Sequence, residues 1–404
     1  MSHLPSEVAA HRVAPPRVVP SEELISRART ALEQPGANEL NVITSLRAQG
    51  HGSDFVRLAL EQVELRERAL VIWKSSGRQR LNWYFTRDGL EAASHPLVAA
   101  FHAEIISHSD ATAVVDLTAG LGSDSAAFIN AGLNAITVER DPDTAALLAH
   151  NLPDAKVLIN DSTLLDLKQW DPIDTAIFID PARRGTSRSL DGARALPERD
   201  PERWSPPISF VKEIAKNFRV FVKTAPAFSP PEGWAQFVIS LDANVVEMFT
   251  TNSTTGTYAV MINSETEDTS VITQNSGPLK QMPAEISAEG FLYELDPAIT
   301  RAGLGPQVAS ELGLTPVGAK NIWLFGASTP FAHARSYRVH DTFPVREIKS
   351  RVKHLPGIAL KTKDGKHEQK TLRKTCAKPD HNEWAVVILG SGTSEQAVLV
   401  QREH

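Results

Sequence analysis

Acidic side chains stand at the ends of four consecutive predicted strands, and this spacing is the strongest sign of chemistry in the chain. The four residues are Asp116, Glu139, Asp161 and Asp180. Each comes at the end of a short apolar run containing β-branched residues, which is typical of a buried parallel strand. Ligands of an open parallel sheet bind beyond the carboxyl ends of its strands. The spacing therefore predicts one ligand site, lined by carboxylates from neighbouring strand ends.

A glycine turn links the first of these strands to a predicted helix. Gly120 and Gly122 stand in Asp-Leu-Thr-Ala-Gly-Leu-Gly, and the helix is expected over Ser125–Asn130. Glycine lets the backbone approach a ligand closely and adopt a positive φ. Glu139 follows Gly122 by seventeen residues, at the end of the second strand, where a carboxylate can accept hydrogen bonds from both hydroxyls of a ribose. These features predict a nucleoside-containing cofactor.

The third and fourth strand ends have different predicted roles. Asp161 follows Leu-Ile-Asn and is suited to accept a hydrogen bond from an adenine amine, although a helix-capping role explains it equally well. Asp180 begins Asp-Pro-Ala-Arg directly after the apolar run Ala176–Ile179. A lone glycine turn is a weak signal, whereas four such strand ends in sheet order are a strong one.

The segment Asp116–Asp180 resembles the class I S-adenosylmethionine-dependent methyltransferases. Its Asp-Leu-Thr-Ala-Gly-Leu-Gly matches their glycine motif, with Thr118 where the first glycine usually stands. Together with the later Val-Glu-Arg-Asp-Pro, it looks particularly like the bacterial ribosomal RNA guanine-N2 methyltransferases. The resemblance implies S-adenosyl-L-methionine as the cofactor. Its binding residues would be Asp116, Thr118, Gly120, Gly122, Glu139 and Asp161.

The same resemblance implies catalytic roles for Asp180 and Pro181, because amine-directed methyltransferases carry Asp or Asn, Pro, Pro and an aromatic residue at this place. A base amine is a poor nucleophile, since its lone pair is delocalised into the ring. The Asp180 carboxylate and the Pro181 carbonyl would accept its two N–H bonds, favour a more pyramidal nitrogen and hold it in line with the methyl group. The sulfonium departs as a neutral thioether, so neither a strong base nor a metal is needed.

Arg183 departs from that pattern, because it stands where the aromatic residue is expected. Its planar guanidinium could stack on the target base. Equally, Arg183 and Arg184 could bind phosphate. Phe228, which follows the fifth predicted strand, is a second candidate for stacking on the base.

A basic segment lies between Pro344 and Lys374, with ten Lys or Arg against three Asp or Glu, although the whole chain has a formal net charge of −6. In an RNA-binding role its side chains, Lys370 and Arg373 among them, would contact backbone phosphates. A solvated helix face is the simpler explanation. Nearby, Tyr293–Gly303 resembles the THUMP-like domain found behind such methyltransferase cores, and THUMP domains proper bind RNA. RNA is therefore the expected partner.

Alternating strand and helix patterns predict an α/β fold, namely a Rossmann-like class I methyltransferase sheet that ends in an antiparallel hairpin. The hairpin is expected between Val245–Thr251 and Tyr258–Asn263, which flank a short turn-rich loop. The polar stretch Ser264–Glu285 is interpreted as a domain boundary. A helical N-terminal region without a catalytic signal, the methyltransferase core and a small THUMP-like α/β domain are expected over residues 1–105, 106–265 and 286–404.

Composition excludes several other classes of protein. The single cysteine, Cys376, excludes a disulfide framework and a cysteine-based zinc site, and the thirteen His show no metal-ligand spacing. No apolar run approaches the ~20 residues that span a bilayer, and the N-terminus lacks the apolar core of a signal peptide. We therefore expect a cytoplasmic protein without a metal. The oligomeric state does not follow from the sequence.

Three alternatives use the same motifs differently. The glycine motif does not specify a substrate, so a small-molecule or protein methyltransferase fits the same core. A dinucleotide-dependent oxidoreductase fits less well, because Ser125 replaces the third glycine of its fingerprint and Asp-Pro-Ala-Arg has no role in hydride transfer. A non-catalytic RNA-binding factor is supported by Thr118 and by the absent aromatic residue.

Overall fold

The computed structural model describes most of the chain, and the chain divides into two compact units. The described residues are 19–74, 76, 80, 82–183, 198–225, 228–274, 286–318, 323–353, 355, 358–362, 384–390 and 395–403. The first unit comprises the chain up to Ala235, with Met248–Thr255 and Ser264–Glu267. The second unit comprises Gln236–Glu247, Gly256–Asn263 and the chain from Asp268 onward.

Among the described residues, five α-helices precede the first strand, as predicted for this region. They are α1 (Glu22–Leu32), α2 (Glu39–Ala48), α3 (Ser53–Trp73), α4 (Arg87–Ala92) and α5 (Pro96–Ser107). The side chains of Ser21, Asn38 and Thr86 cap α1, α2 and α4 by accepting a hydrogen bond from a first-turn N–H, a group that helices otherwise leave unsatisfied. The apolar faces of α1, α2 and α3 pack on one another around residues such as Leu24 and Val56.

The core of the first unit is a parallel sheet. Its strands are β1 (Ala113–Asp116), β2 (Asn134–Glu139), β3 (Lys156–Ile159), β4 (Thr175–Ile179) and β5 (Arg219–Thr224). They lie in the order β3-β2-β1-β4-β5, and antiparallel β7 (Asn244–Thr251) follows β5. All five residues of β4 are buried, as expected for a central strand covered on both faces. The carboxyl ends of β1 to β5 therefore share one edge of the sheet.

Three α-helices of the first unit accompany this sheet within the described residues. They are α6 (Ser123–Asn130), α7 (Pro142–Asn151) and α8 (Ile208–Ile214). Buried apolar side chains of α8, such as Val211, pack against strand residues including Val115 and Ile177. Single 3₁₀ turns lie at Ser162–Leu164, Leu167–Gln169 and Pro201–Arg203.

The second unit contains further strands and a second sheet. β6 (Ala235–Leu241), β8 (Gly256–Ile262) and β9 (Thr269–Thr273) lie side by side in that order. Within the described residues, the second sheet has seven strands, ordered β11-β12-β10-β13-β16-β15-β14. These strands are β10 (Phe291–Leu295), β11 (Thr315–Val317), β12 (Trp323–Gly326), β13 (Ala334–Pro344), β14 (Ala359–Thr362), β15 (Trp384–Leu389) and β16 (Gln396–Arg402). The described α-helices of the second unit are α9 (Pro297–Arg301), α10 (Gly305–Leu312) and α11 (Ile348–Val352). A 3₁₀ turn at Val345–Glu347 precedes α11.

The strands of the predicted hairpin exist, but the pairing between them was wrong. β7 and β8 correspond to Val245–Thr251 and Tyr258–Asn263, yet β6 lies between them in the strand order. A two-residue turn joins β6 to β7 through Asp242 and Ala243, whose φ angles are 50° and 59°. Asp242 is a common residue in such turns, but Ala243 stands where glycine is usual, so the turn lacks the Asp-Gly or Asn-Gly signal of a hairpin.

Two further details differ from expectation. The polar stretch Ser264–Glu285, interpreted as a boundary, contains β9, whose five residues pair with β8. The sequence pattern of Pro297–Leu312 predicts one helix, but the structure has two, α9 and α10, because Gly303 adopts a φ of 74° between them. A left-handed glycine is a common way to end a helix.

Candidate active site

The glycine turn after β1 has one tightly packed and one open glycine. Gly122 has a φ of 93°, and a Cβ there would lie 2.6 Å from Leu148 and 2.7 Å from Leu152. Gly120 has a φ of 54°, but no heavy atom lies within 4 Å of the position that its Cβ would occupy. Gly122 is therefore required for packing against α7 and its C-cap residue Leu152. Gly120 instead borders open space that a ligand can approach.

Asp116 lies beneath this turn and organises it from inside. The side chain is 1% exposed and accepts hydrogen bonds from the Thr118 N–H at 3.1 Å and the Ser125 hydroxyl at 2.6 Å. Burial raises the pKa of Asp116 to about 7, against the lowering effect of the Ser125 hydroxyl. The residue thus shapes the loop that a cofactor would contact.

Thr118 connects the glycine turn to the start of the Asp180 loop. Its hydroxyl oxygen accepts a hydrogen bond from the Asp180 backbone N–H at 2.6 Å. A glycine at this position, where the motif usually has one, could not accept that bond. The departure from the motif therefore has a structural explanation, and it weakens the argument that Thr118 indicates a lost activity.

Glu139, at the end of β2, accepts hydrogen bonds through both carboxylate oxygens. Oε2 accepts from the Gly120 N–H at 3.0 Å, and Oε1 accepts from the Asp141 N–H at 2.9 Å. These bonds hold the half-buried carboxylate beside the open glycine. Each carboxylate oxygen can accept more than one hydrogen bond, so the geometry is compatible with a ribose.

Asp161 acts as a cap, which is one of the two roles that the sequence allows. Its Oδ1 accepts hydrogen bonds from the Thr163 N–H at 2.9 Å and the Thr163 hydroxyl at 2.6 Å, at the start of the 3₁₀ turn Ser162–Leu164. These bonds hold the pKa of Asp161 below its usual value. The carboxylate is exposed beyond β3, so capping does not prevent a contact with a ligand.

Asp180 forms an ion pair that the sequence analysis did not anticipate. The Lys223 Nζ lies 2.7 Å from the Asp180 Oδ2, and the two side chains are 5% and 27% exposed. Lys223 is a charged residue in the buried part of β5, where it follows the apolar run Val220–Val222. A lysine inside a buried strand next to the strand that ends at Asp180 was the signal that could have revealed the pair.

A buried hydrogen-bond network continues from Lys223. Its Nζ donates to the Ser94 hydroxyl at 2.8 Å, and that hydroxyl donates to the Asp124 Oδ2 at 2.7 Å. His102 Nδ1 lies 2.8 Å from the other Asp124 oxygen. Burial acts to raise the pKa of Asp124, but the Lys223 charge and His102 outweigh it and leave the pKa below its usual range. Asp124 is therefore an ionised carboxylate inside the protein.

The N-terminal region contributes to this network, although its sequence carries no catalytic signal. Ser94 precedes α5, which carries His102. Arg80 is 8% exposed and donates to the Ser123 hydroxyl at 2.6 Å and the Ser123 carbonyl at 3.0 Å. Ser123 in turn donates to the Ser94 carbonyl at 2.7 Å. Burial lowers the pKa of Arg80 to about 10, so the guanidinium stays charged at neutral pH.

The residues after Asp180 begin the predicted substrate side of the site. Pro181 is buried, and Ala182 exchanges backbone hydrogen bonds with Ser205 at 2.8 and 3.1 Å. The Arg183 carbonyl accepts from the Glu198 N–H at 2.6 Å, while its side chain is half-buried. This backbone pairing fixes the direction in which the chain leaves Asp180.

Phe228 is half-buried, with its ring 5.5 Å from that of Trp204, and it packs on the core beneath the sheet. The predicted stacking role requires part of this ring to face a substrate. Arg184, Lys370 and Arg373 lie outside the described residues.

Part of the basic segment is described, and some of its charges are paired. Arg351 lies 3.2 Å from both Asp341 and Glu347, whereas Lys349 on α11 and Lys353 at the C-cap of that helix are exposed. Lys361 of β14 lies 2.6 Å from Glu294. The exposed lysines are compatible with either of the interpretations that the sequence left open.

Comparisons with known proteins agree with this architecture. A crystal structure from Porphyromonas gingivalis W83, described as a "putative methyltransferase", superposes with a TM-score of 0.71 at 19% identity, covering 96% of this chain and 100% of that one. An rRNA methylase from Streptococcus thermophilus covers 39% of this chain and 86% of its own, with a TM-score of 0.28 at 12% identity. The strand order and the first of these likenesses show that the chain shares the α/β fold of that structure, with a parallel sheet accompanied by helices.

A family model described as "Domain of unknown function (DUF8688)" matches residues 22–69, within the first helices. No curated protein matches the chain. Within the described ranges, no helix is long and apolar enough to cross a membrane. The same residues contain no cluster of three or more His, Cys, Asp or Glu side chains that could hold a metal ion.

Proposed function

We propose that this protein is an S-adenosylmethionine-dependent methyltransferase that modifies an exocyclic amine of a base in RNA, such as guanine N2. The observation that carries the proposal is the placement of Asp180. Its backbone is tied to the glycine turn through Thr118 at 2.6 Å, and its carboxylate is anchored by Lys223 at 2.7 Å. A carboxylate fixed beside this turn can orient an amine nitrogen for in-line transfer of a methyl group.

The residues around the turn fit the cofactor. Gly120 leaves open space above the loop, and Glu139 holds its carboxylate beside that space, where it would accept the ribose hydroxyls. Asp116 and Gly122 would act through the shape of the turn, and exposed Asp161 would accept from the adenine amine. S-adenosylmethionine, when bound, supplies an electrophilic methyl group and leaves as a neutral thioether.

Asp180 and Pro181 would hold the nucleophile. An exocyclic amine donates two N–H bonds, which the carboxylate and the Pro181 carbonyl would accept, so that the nitrogen lone pair points at the methyl group. The proton released after transfer would pass to the carboxylate or to solvent. Arg183 and Phe228 are the candidates for contact with the base or its phosphate.

RNA as the substrate is supported by the exposed Lys349 and Lys353 and by the basic composition of the segment around them. We assign a THUMP-like, RNA-binding role to the α/β region 286–404. Basic side chains would supply affinity that depends on salt concentration and not on base sequence.

The proposal is tested by incubating the purified protein with methyl-labelled S-adenosylmethionine and total RNA from a strain that lacks the gene. We expect label in RNA that nuclease releases and protease does not, and nucleoside mass spectrometry should then find a methylated base amine. Label that resists nuclease but not protease would indicate a protein substrate, and acid-soluble label a small molecule. Cofactor binding without any transfer would favour a non-catalytic RNA-binding factor.

A further inference from the structure

We infer that Lys223 is the positioning residue for the Asp180 carboxylate, and that Ser94 and Asp124 hold Lys223 in place for this purpose. The inference rests on the proposed function of Asp180. It concerns a residue of β5 and a hydroxyl from the N-terminal region, neither of which belongs to the glycine motif or to Asp-Pro-Ala-Arg.

Strand register brings the two partners together. β4 and β5 are parallel neighbours, and Ile179 is paired with Val222. The next residues along the two strands are Asp180 and Lys223, so their side chains leave the sheet side by side at its carboxyl edge. The Nζ to Oδ2 distance of 2.7 Å is that of a charge-assisted hydrogen bond.

Lys223 is held by more than one partner. A buried ammonium is costly unless it is paired and hydrogen-bonded. Its Nζ contacts the Asp180 Oδ2, donates to the Ser94 hydroxyl at 2.8 Å, and lies 3.8 Å from the Asp124 Oδ2. Ser94 donates to the same Asp124 oxygen at 2.7 Å, which fixes the direction of its hydroxyl. The ammonium is thus locked before any substrate arrives.

Asp180 and Lys223 differ in exposure, and this difference separates the residue that can contact a substrate from the residue that positions it. The Asp180 side chain is 27% exposed, whereas that of Lys223 is 5% exposed. Asp180 can therefore touch a substrate, while Lys223 acts through Asp180. Backbone and carboxylate of Asp180 are both anchored, the first by Thr118 and the second by Lys223, so the carboxylate meets the nucleophile in a set orientation.

Removal of the Lys223 charge should change how Asp180 titrates. Among the described residues, the charged or titratable groups near the pair include Asp116 at the end of β1, Asp124 on α6 and His102 on α5, and Arg80 lies near Asp124. Without the ammonium, Asp180 would lose its ion pair and lie near the ionised Asp124, whereas Asp116 keeps its proton below a pKa of about 7. Protonated Asp180 would then be favoured, so its titration midpoint would move to higher pH.

The first test measures the carboxyl group directly. Protein labelled with ¹³C at the aspartate carboxyl carbon is titrated by NMR, and the Asp180 signal is assigned by its absence in Asp180→Asn. We expect Lys223→Met to raise the midpoint by about one pH unit or more, while the exposed control Lys212→Met leaves it unchanged. An unchanged midpoint in a folded Lys223→Met protein would overturn the inference. This test needs no substrate, so it stands apart from failure of the proposed function.

The second test is a double-mutant cycle on single-turnover methyl transfer. Lys223→Met should slow transfer about tenfold or more, with the Kd for S-adenosylmethionine within about twofold of wild type. In the Asp180→Asn background the same change should cost less than about twofold, because the carboxylate it positions is gone. Equal losses in both backgrounds would show a merely structural role and reject the inference.

Two milder variants keep the inference testable if Lys223→Met does not fold. Lys223→Arg preserves the charge but alters the geometry, so the Asp180 midpoint should stay within about half a pH unit of wild type while transfer slows. Ser94→Ala removes the hydroxyl between Lys223 and Asp124 and should slow transfer about two- to fivefold with cofactor affinity unchanged. Wild-type transfer rates in both variants would contradict the inference.

Discussion

Asp116 and Asp124 are two buried carboxylates that flank the glycine turn, at the end of β1 and the start of α6, yet their pKa values move in opposite directions. Burial raises the pKa of Asp116 to about 7. Burial also acts on Asp124, but Lys223 and His102 overcome it and leave the pKa below its usual range. The difference shows that a cation, and not the depth of burial, decides which carboxylate is charged at this edge of the sheet. The same cation, Lys223, also forms the ion pair with Asp180.

The largest effect is expected when the charge of Asp124 is removed, which tests whether this charge stabilises the network around Lys223. Asp124→Asn leaves Lys223 and His102 beside an uncharged partner, so the free energy of unfolding at pH 7 should fall by ~3–5 kcal/mol. Because the folded pKa of Asp124 is lowered, this stabilisation is present above the unfolded pKa and is lost only as pH falls through the folded value. Urea denaturation at pH 7 measures the effect, with exposed Asp143→Asn as the control. A loss below about 1 kcal/mol would show that the network is not held by this charge.

Asp116 should show the opposite dependence on pH. Its folded pKa is raised above the unfolded value of 3.8 to about 7, so the folded state holds the proton more tightly. The stabilisation is complete below pH ~4 and is lost as pH rises through about 7. We expect wild type to lose ~1–3 kcal/mol from this group between pH 5 and pH 8, and Asp116→Asn to lack that slope. Identical slopes in the two proteins, measured by urea denaturation, would contradict the assignment.

The two glycines of the turn should separate stability from ligand binding. Gly122→Ala meets Leu148 and Leu152 and should destabilise the protein by ~1–3 kcal/mol. Gly120→Ala meets no atom within 4 Å, so it should cost only about 1 kcal/mol for its positive φ. Its methyl group would enter the open space, and the Kd for S-adenosylmethionine should therefore rise more than in Gly122→Ala. Calorimetric titration with S-adenosylmethionine, at a temperature where both variants are folded, measures the two Kd values. A larger rise of the Kd in Gly122→Ala than in Gly120→Ala would contradict a cofactor site beside Gly120.

The smallest effect is expected at a second lysine–carboxylate pair. Lys361 and Glu294 are 2.6 Å apart, and the lysine also lies 5.0 Å from the Tyr337 ring. Both residues belong to the second unit, whereas the glycine turn belongs to the first. Lys361→Met should lower the free energy of unfolding by about 1 kcal/mol and leave the Kd for S-adenosylmethionine unchanged. A tenfold weaker cofactor affinity would show that Lys361 also serves the proposed site.

The parts of this architecture that depend on local pattern were predictable. Parallel strands bring their ends to one edge, so Asp116, Glu139 and Asp180 could be grouped from spacing alone. The Lys223–Ser94 hydrogen bond joins residues 129 positions apart, and nothing in the sequence near Ser94 reveals it. β6 was not predicted for a different reason, because its turn to β7 has Ala243 where a hairpin turn usually has glycine.

The most direct measurement is single-turnover methyl transfer to RNA by wild type, Asp180→Asn and Asp180→Ala, with cofactor binding measured in parallel. We predict that Asp180→Ala slows transfer by about 10²–10³-fold while the Kd for S-adenosylmethionine stays within about threefold of wild type. Asp180→Asn, which keeps an acceptor oxygen, should retain more activity than Asp180→Ala. Full transfer by both variants would contradict the assignment of Asp180 and, with it, the central claim.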